Sequence, residues 1–339
     1  MEVYLHVVLT MILLFCNEEE VSYTTTTRAR VVLQRRPCIR MKKHMLSRVA
    51  RSGIRLWRMH MQCIKRVGSD SSSRSKRLYS MQSEQSYNEK PSQEQRREWE
   101  REQQLLCTRI TTHDDRLTFE PETLEGLKYV GGVDLSFPED NMEEALACLS
   151  VLEWPSLEVV HTSYLKTRLY LPYIAGFLAF REVGPLSTLL QQLKETHPEL
   201  YPQIVLVDGN GRLHPRMCGI ACHLGVVAGV PTVGVAKNFL VIDNELDMKQ
   251  VKSTCRQVLH QRGDHHLLKG RSSGQVYGAA LRTTDAAPNP VFVSQGHRVS
   301  LDTALHVVMA CSRYRIPEPI RRADLDSRAY IKNNPMFTK

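Results

Sequence analysis

Three acidic side chains stand where the surrounding sequence would aim them at one another. Asp134 closes the apolar run YVGGVD, Asp208 closes IVLVD, and Glu182 lies in the FRE triplet of an otherwise apolar segment. A strand that stops at a carboxylate delivers it to the end of a sheet, and two neighbouring strands doing so bring a pair within bridging distance of one hard cation. Such a group suits attack on a phosphodiester, an anion whose hydrolysis needs its developing charge neutralised and a hydroxide generated. Singly, each acid is more often a capped or solvated carboxylate than a ligand. Together, in this order, they favour a metal-dependent nuclease.

Other residues could join them. Lys237, just after PTVGVA, is placed to meet a phosphate, although an exposed lysine at a strand end is the plainer reading. The turn DGNGRLHPR, residues 208–216, carries two glycines that let backbone approach a ligand. Pro172 and Tyr173 precede an apolar helical stretch, where the tyrosine is either a core residue or a ring held ready to stack on a base. His214, Cys218 and Cys222 are spaced by four, which on a helix would put them on one face as zinc requires, but no C-x-x-C pair accompanies them and ordinary packing is favoured.

The elements needed to hold these residues are legible in the periodicity. Residues 128–137, 145–152 and 157–165 read as three strands in an antiparallel meander, the last two joined by a turn around Trp154, Pro155 and Ser156. A helix fits 176–195, a strand 204–207, a helix 218–228 and a strand 232–236. This βββαβαβ order points to an α/β sheet with its site at one edge. Upstream, SQEQRREWEREQQLLC, residues 92–107, has the charge pairs of a solvated amphipathic helix.

Composition bounds the rest. The formal net charge is +9, but residues 1–77 hold 16 Lys and Arg against 5 Asp and Glu, which leaves the remainder at about −2. Overall basicity therefore says nothing of the core. Nine cysteines at irregular spacing do not make a disulfide framework. The apolar stretch of residues 3–16 lacks a basic flank and is too short to span a bilayer, so no membrane association is expected. Residues 1–80 read as a basic, poorly structured extension, a targeting segment or an artefact of the gene model, and 81–339 as a single catalytic domain.

The blocks GGVDLSF, PYIAGFLAFRE, DGNGRLHPR, GVAKNFL, GHRVSLDTAL and RIPEPIRRAD, in this order, resemble the successive signatures of the endonuclease V family, in a form closer to its animal branch. The resemblance implies an RNase H-like mixed sheet flanked by helices. It implies that Asp134, Glu182 and Asp208 hold Mg²⁺, with Mn²⁺ as a substitute, and that Asp324 is a fourth catalytic acid, with Asp302 the competing candidate at a helix start. Pro172, Tyr173, Ile174 and Ala175 would form a strand-separating wedge; Gly176, Leu178, Gly209 and Leu240 would line a pocket for a flipped hypoxanthine; Lys237 would stand near the scissile phosphate. The implied activity is hydrolysis of the second phosphodiester 3′ to inosine in single-stranded RNA, leaving 5′-phosphate and 3′-hydroxyl ends. Repair cleavage at deoxyinosine in DNA is the alternative, and a catalytically silent inosine-binding module the rival of another class. The further expectations are a monomer and a location in cytoplasm and nucleus, with the nucleolus as an additional candidate.

Overall fold

A computed structural model describes residues 90–139 and 141–334. The 80/81 boundary, the apolar stretch at 3–16 and the basic extension lie outside the described residues. One eight-stranded sheet runs through the molecule in the order β3-β2-β1-β4-β5-β8-β7-β6. Its first three strands, β1 (Tyr129–Ser136), β2 (Glu144–Glu153) and β3 (Glu158–Arg168), form the expected meander, and β4 (Ile204–Asp208) and β5 (Thr232–Ala236) add in parallel to β1. Beyond β5 the sheet continues antiparallel through β8 (Val291–His297), β7 (Val276–Leu281) and β6 (His265–Lys269).

The helices are α1 (Gln93–Cys107), α2 (Leu178–Thr196), α3 (Ile220–Ala228), α4 (Met248–Val258), α5 (Leu301–Ala310) and α6 (Glu318–Asn333). β1 and β4 are buried on both faces, which is why they read as nearly continuous apolar runs rather than alternating ones. On one face Val133, Leu135, Val205 and Val207 pack against Val183, Leu186 and Leu190 of α2 and Ile220 and Leu224 of α3. On the other, Val130, Ile204 and Leu206 pack against Ala304, Val307 and Val308 of α5 and Ile320 of α6.

Gly132 governs how close α6 comes. A Cβ there would lie 2.0 Å from the carbonyl carbon of Pro319, so only glycine lets the first turn of α6 rest directly on β1. From that contact Ile320, Asp324 and Ser327 follow at helical spacing on the face turned to the strand, and the Ser327 hydroxyl meets that of Ser136 at 2.6 Å. Asp324 thus sits inside a helix.

One expectation changes here. The helix expected over residues 92–107 forms as α1 behind a Ser92 cap, but it is not simply solvated: Trp99, Gln103 and Leu106 are buried. Asp134 and Asp208 lie towards the carboxyl ends of two central strands, in keeping with acids that close apolar runs.

Candidate active site and base pocket

Successive residues of a strand alternate between faces, so Gly132 and Asp134 of β1 and Leu206 and Asp208 of β4 all look toward α6. Val133 pairs with Val207 in the parallel register, which sets Asp134 and Asp208 on neighbouring strands about 4.8 Å apart. Asp324 faces them from α6, and Glu182 approaches from the second turn of α2. The four acids expected from sequence are therefore brought together. Asp302 is not among them: it is exposed in the first turn of α5, behind the Ser300 cap.

Crowding of carboxylates in a site with little water has an electrostatic cost, and the protonation equilibria show it. Burial, with Asp208 and Asp324 adding like charge, holds the Asp134 carboxyl well above its ordinary range. Burial likewise raises Asp208, against the pull of the Lys237 ammonium, whose Nζ lies 3.3 Å from its Oδ2. Glu182 is pushed up to about 7, chiefly by burial, with Asp208 adding to the shift and Arg181 opposing it. Among the described residues, no three His, Cys, Asp or Glu side chains stand within one ligand shell. The donors are nonetheless all carboxylate oxygens, only partly offset by Lys237 on Asp208 and by Arg328, whose Nε lies 2.6 Å from Asp324 Oδ1, and such an oxygen set suits a hard divalent cation such as Mg²⁺ or Mn²⁺.

Beside the acids lies a pocket of about 150 Å³, roughly the space one aromatic ring fills in an engineered apolar cavity. Gly176, Leu178 and Leu240 line it as the family resemblance implies, and so does Tyr173. That ring is 60% exposed, which removes the reading of Tyr173 as a core residue. It precedes a tight turn in which the Phe177 N–H donates to the Ile174 carbonyl (2.9 Å) and Gly176 has φ +81°, the geometry of a type II turn. Pro172 is half-buried just before it, and Ile174 packs on the aromatic cluster of Trp99, Phe177 and Phe180 rather than into the pocket. Gly209 does not line the pocket: a Cβ there would lie 2.5 Å from the Ile220 side chain, so it stands behind that wall.

Sequence reasoning missed several lining residues, among them Gln103, Asn210, Ile220 and Phe239. Asn210 stood in plain view inside the DGNGRLHPR block, two residues after Asp208. Gln103 carried no local signal at all, because an isolated glutamine in a charged helix looks solvated.

The helical zinc spacing fails. His214 and Cys218 precede α3 and only Cys222 belongs to it, so the interval of four does not put them on one helix face. Cys218 and Cys222 are packed with Leu106 and Val226, and His214 is occupied elsewhere. Its Nδ1 accepts from the Arg216 N–H (3.1 Å), which leaves Nε2–H to donate to the Gly176 carbonyl (3.1 Å). Burial, with the Arg216 charge, lowers its pKa to about 4, so the ring is neutral.

The model of the endonuclease V family matches residues 111–325. Human endonuclease V is 45% identical over 236 residues, 70% of this chain and 83% of that protein. The crystal structure of the catalytic domain of human endonuclease V superimposes with a TM-score of 0.69 at 44% identity, covering 73% of this chain and 100% of that one. A Ciona intestinalis endonuclease V, bound to a 23-mer DNA containing an inosine followed by a ribo-adenosine, gives a TM-score of 0.67 at 37% identity, covering 71% and 99%. With its RNase H-like sheet and its phosphodiester-hydrolysing relatives, the chain belongs to the endonuclease V family of nucleases.

Proposed function

We propose that the protein is a Mg²⁺-dependent endonuclease, with Mn²⁺ able to substitute, that recognises inosine in single-stranded RNA and hydrolyses the second phosphodiester on its 3′ side. The observation that carries this reading is that hydrolytic and recognition groups share one turn: Asp208 belongs to the acid cluster, and Asn210, two residues on, lines the base-sized pocket. Asp134, Asp208 and Glu182 would hold the cation, with Asp324 beside them. When bound, a divalent cation would neutralise phosphate charge and make water a stronger acid, so that hydroxide is easier to generate.

The protein's own groups do the rest. Glu182, pushed up to about 7 by burial when no cation is bound, would return to the ordinary carboxylate range on holding one, so its part is to ligate and orient rather than to take up a proton. Lys237 Nζ, paired with Asp208 Oδ2 at 3.3 Å on a partly exposed side chain, would offer positive charge to a phosphate oxygen. Tyr173 supplies an exposed ring at the pocket mouth, on which a base or its neighbour can stack. The pocket accommodates a base only after it has left its stack, a step that costs less in a single strand than in a duplex.

Two observations favour RNA. Residues 78–339 carry about −2 net charge, without the basic surplus that long duplex DNA rewards. The Ciona relative was bound to a strand with a ribonucleotide directly after its inosine. Because the rest of that strand is DNA, cleavage at deoxyinosine stands as the second reading. Cleavage rates of inosine-bearing RNA, the matching DNA, and DNA with one ribonucleotide 3′ to the inosine decide between them. RNA and the single-ribonucleotide strand should be cut at least tenfold faster than DNA, and equal rates on all three would return DNA repair to first place.

A further inference from the structure

Besides the segment 238–240, the pocket has two walls that a residue upstream of the family-matched segment helps to tie together. One wall is the turn at 173–179; the other is the segment 210–220. Gln103 of α1 is 1% exposed and lies between them. Its Nε2 donates to the Gly176 carbonyl (3.1 Å) on the first wall and to the Cys218 carbonyl (3.2 Å) on the second. Its Oε1 accepts from Arg216 Nε (2.5 Å). The orientation of the amide is fixed, since the reverse would set an oxygen against two carbonyls and a nitrogen against a guanidinium.

The Gly176 carbonyl is the pivot of the arrangement. It receives Gln103, His214 (3.1 Å) and Arg216 Nη2 (2.7 Å), three donors on one oxygen. The Arg216 guanidinium also lies 4.4 Å from the Phe177 ring centre, and Phe177 packs on Trp99 of α1. Gly176 itself is committed to a positive φ. A buried network in which each donor is satisfied behaves as a rigid strut rather than as a set of independent bonds.

We infer that Gln103 is a positioning residue for base selection: by joining Gly176 to Cys218 across the slot it fixes the slot's width, and so decides which purine fits. This rests on the reading of the pocket as the inosine site. Hypoxanthine and guanine differ by one exocyclic amine, and hydrogen-bond mismatch excludes such a group effectively only where the walls cannot yield. With the Gln103 amide replaced by an apolar group, the walls keep only the His214 and Arg216 bonds to the Gly176 carbonyl; the tie to Cys218 is lost, Arg216 Nε loses the acceptor that orients it, and the loosened slot accommodates an extra amine.

The test uses the full chain carrying Gln103→Met, which keeps the volume and removes every hydrogen bond, and Gln103→Glu, which keeps the Arg216 contact but loses both N–H groups. Cleavage is measured on oligonucleotides bearing inosine, guanosine or adenosine at one position, and melting temperature is recorded for each variant. In both variants the inosine-to-guanosine ratio of kcat/KM should fall about tenfold, with the loss on inosine greater in KM than in kcat. A folded variant that keeps the wild-type ratio would overturn the inference and leave Gln103 a structural strut. Should Gln103→Met fail to fold, Gln103→Glu carries the same reading. A wild-type enzyme without preference for inosine would instead defeat the proposed function, a result visible before any variant is compared.

Discussion

The acid cluster and the pocket lie side by side but are held by different means. The acids ride on regular elements: Asp134 and Asp208 on adjacent central strands, Asp324 inside α6, Glu182 inside α2, all fixed by the same apolar core that fixes the fold. The pocket is assembled from α1, a tight turn, the loop before α3 and the segment after β5, and its walls are joined by polar contacts between residues 38 to 115 positions apart. Damage to the first should therefore remove chemistry and spare recognition. Damage to the second should do the reverse.

The sharpest way to break this contrast is at the acids. Asp134→Asn or Asp208→Asn should lower single-turnover cleavage by about three orders of magnitude, as loss of one group that balances transition-state charge does. Affinity for an inosine-bearing strand, measured by anisotropy, should change little. Cleavage near the wild-type rate would remove the acids from the reaction. Asp324→Ala should lose most activity, and Asp302→Ala almost none because that side chain is exposed on α5 away from the cluster.

On the pocket side, Tyr173→Ala should weaken binding by about 1–3 kcal/mol, the range for one stacked base, while a saturated single turnover slows far less. An exposed ring contributes little to folding, so the melting temperature should hold. Unchanged affinity in the folded variant would mean that the ring does not touch the strand.

How far each region was legible follows from the same difference. β1 through β5 and α1 to α3 announce themselves by apolar period, and acids that terminate such runs stand out against them. β6, β7 and β8 escaped: β6 is HHLLK and β8 ends in SQGH, with polar and glycine residues that dilute the strand pattern, and no acid draws attention to them. Gln103 escaped for a stronger reason. Its partners are Gly176, Cys218 and Arg216, and no local pattern encodes a contact across 73 or 115 residues. Asp324 was placed through the family resemblance rather than from its neighbours in sequence, and Gly132 and α6 supply the physical reason.

A smaller effect probes the acid cluster without substrate. Glu182 titrates near 4.5 when unfolded and at about 7 when folded. Below pH 4.5 both states hold the proton and nothing is lost. Between the two values only the unfolded chain releases it, so stability falls as pH rises, and above pH 7 the folded state carries the full cost, about 3 kcal/mol. Asp134 and Asp208 shift in the same direction. In chelator at pH 8, Glu182→Gln should raise the melting temperature by about 5 °C, with little change at pH 4.5, and Mg²⁺ should stabilise the wild type more at pH 8 than at pH 5. A Glu182→Gln variant that melts lower at pH 8 would mean that this carboxylate is paired rather than crowded.

The smallest expected effect is none at all, and it asks how much chain the pocket needs. Every acid of the cluster and every residue of the pocket network lies between Trp99 and Asp324, and α1, which carries Gln103 and Trp99, starts at Gln93 behind a Ser92 side chain that accepts from the Gln95 N–H. A chain starting at Met81 keeps that helix and its cap whole. It should cleave inosine-bearing RNA with unchanged kcat and unchanged selectivity against guanosine, and run as a monomer in sizing. Weaker binding that recovers at low salt, with normal kcat, would make the 16 Lys and Arg of residues 1–77 an electrostatic arm for the strand. Loss of selectivity with cleavage intact would instead show that α1 needs support from upstream to hold Gln103 between the walls, and the pocket would then depend on more of the chain than the acids do.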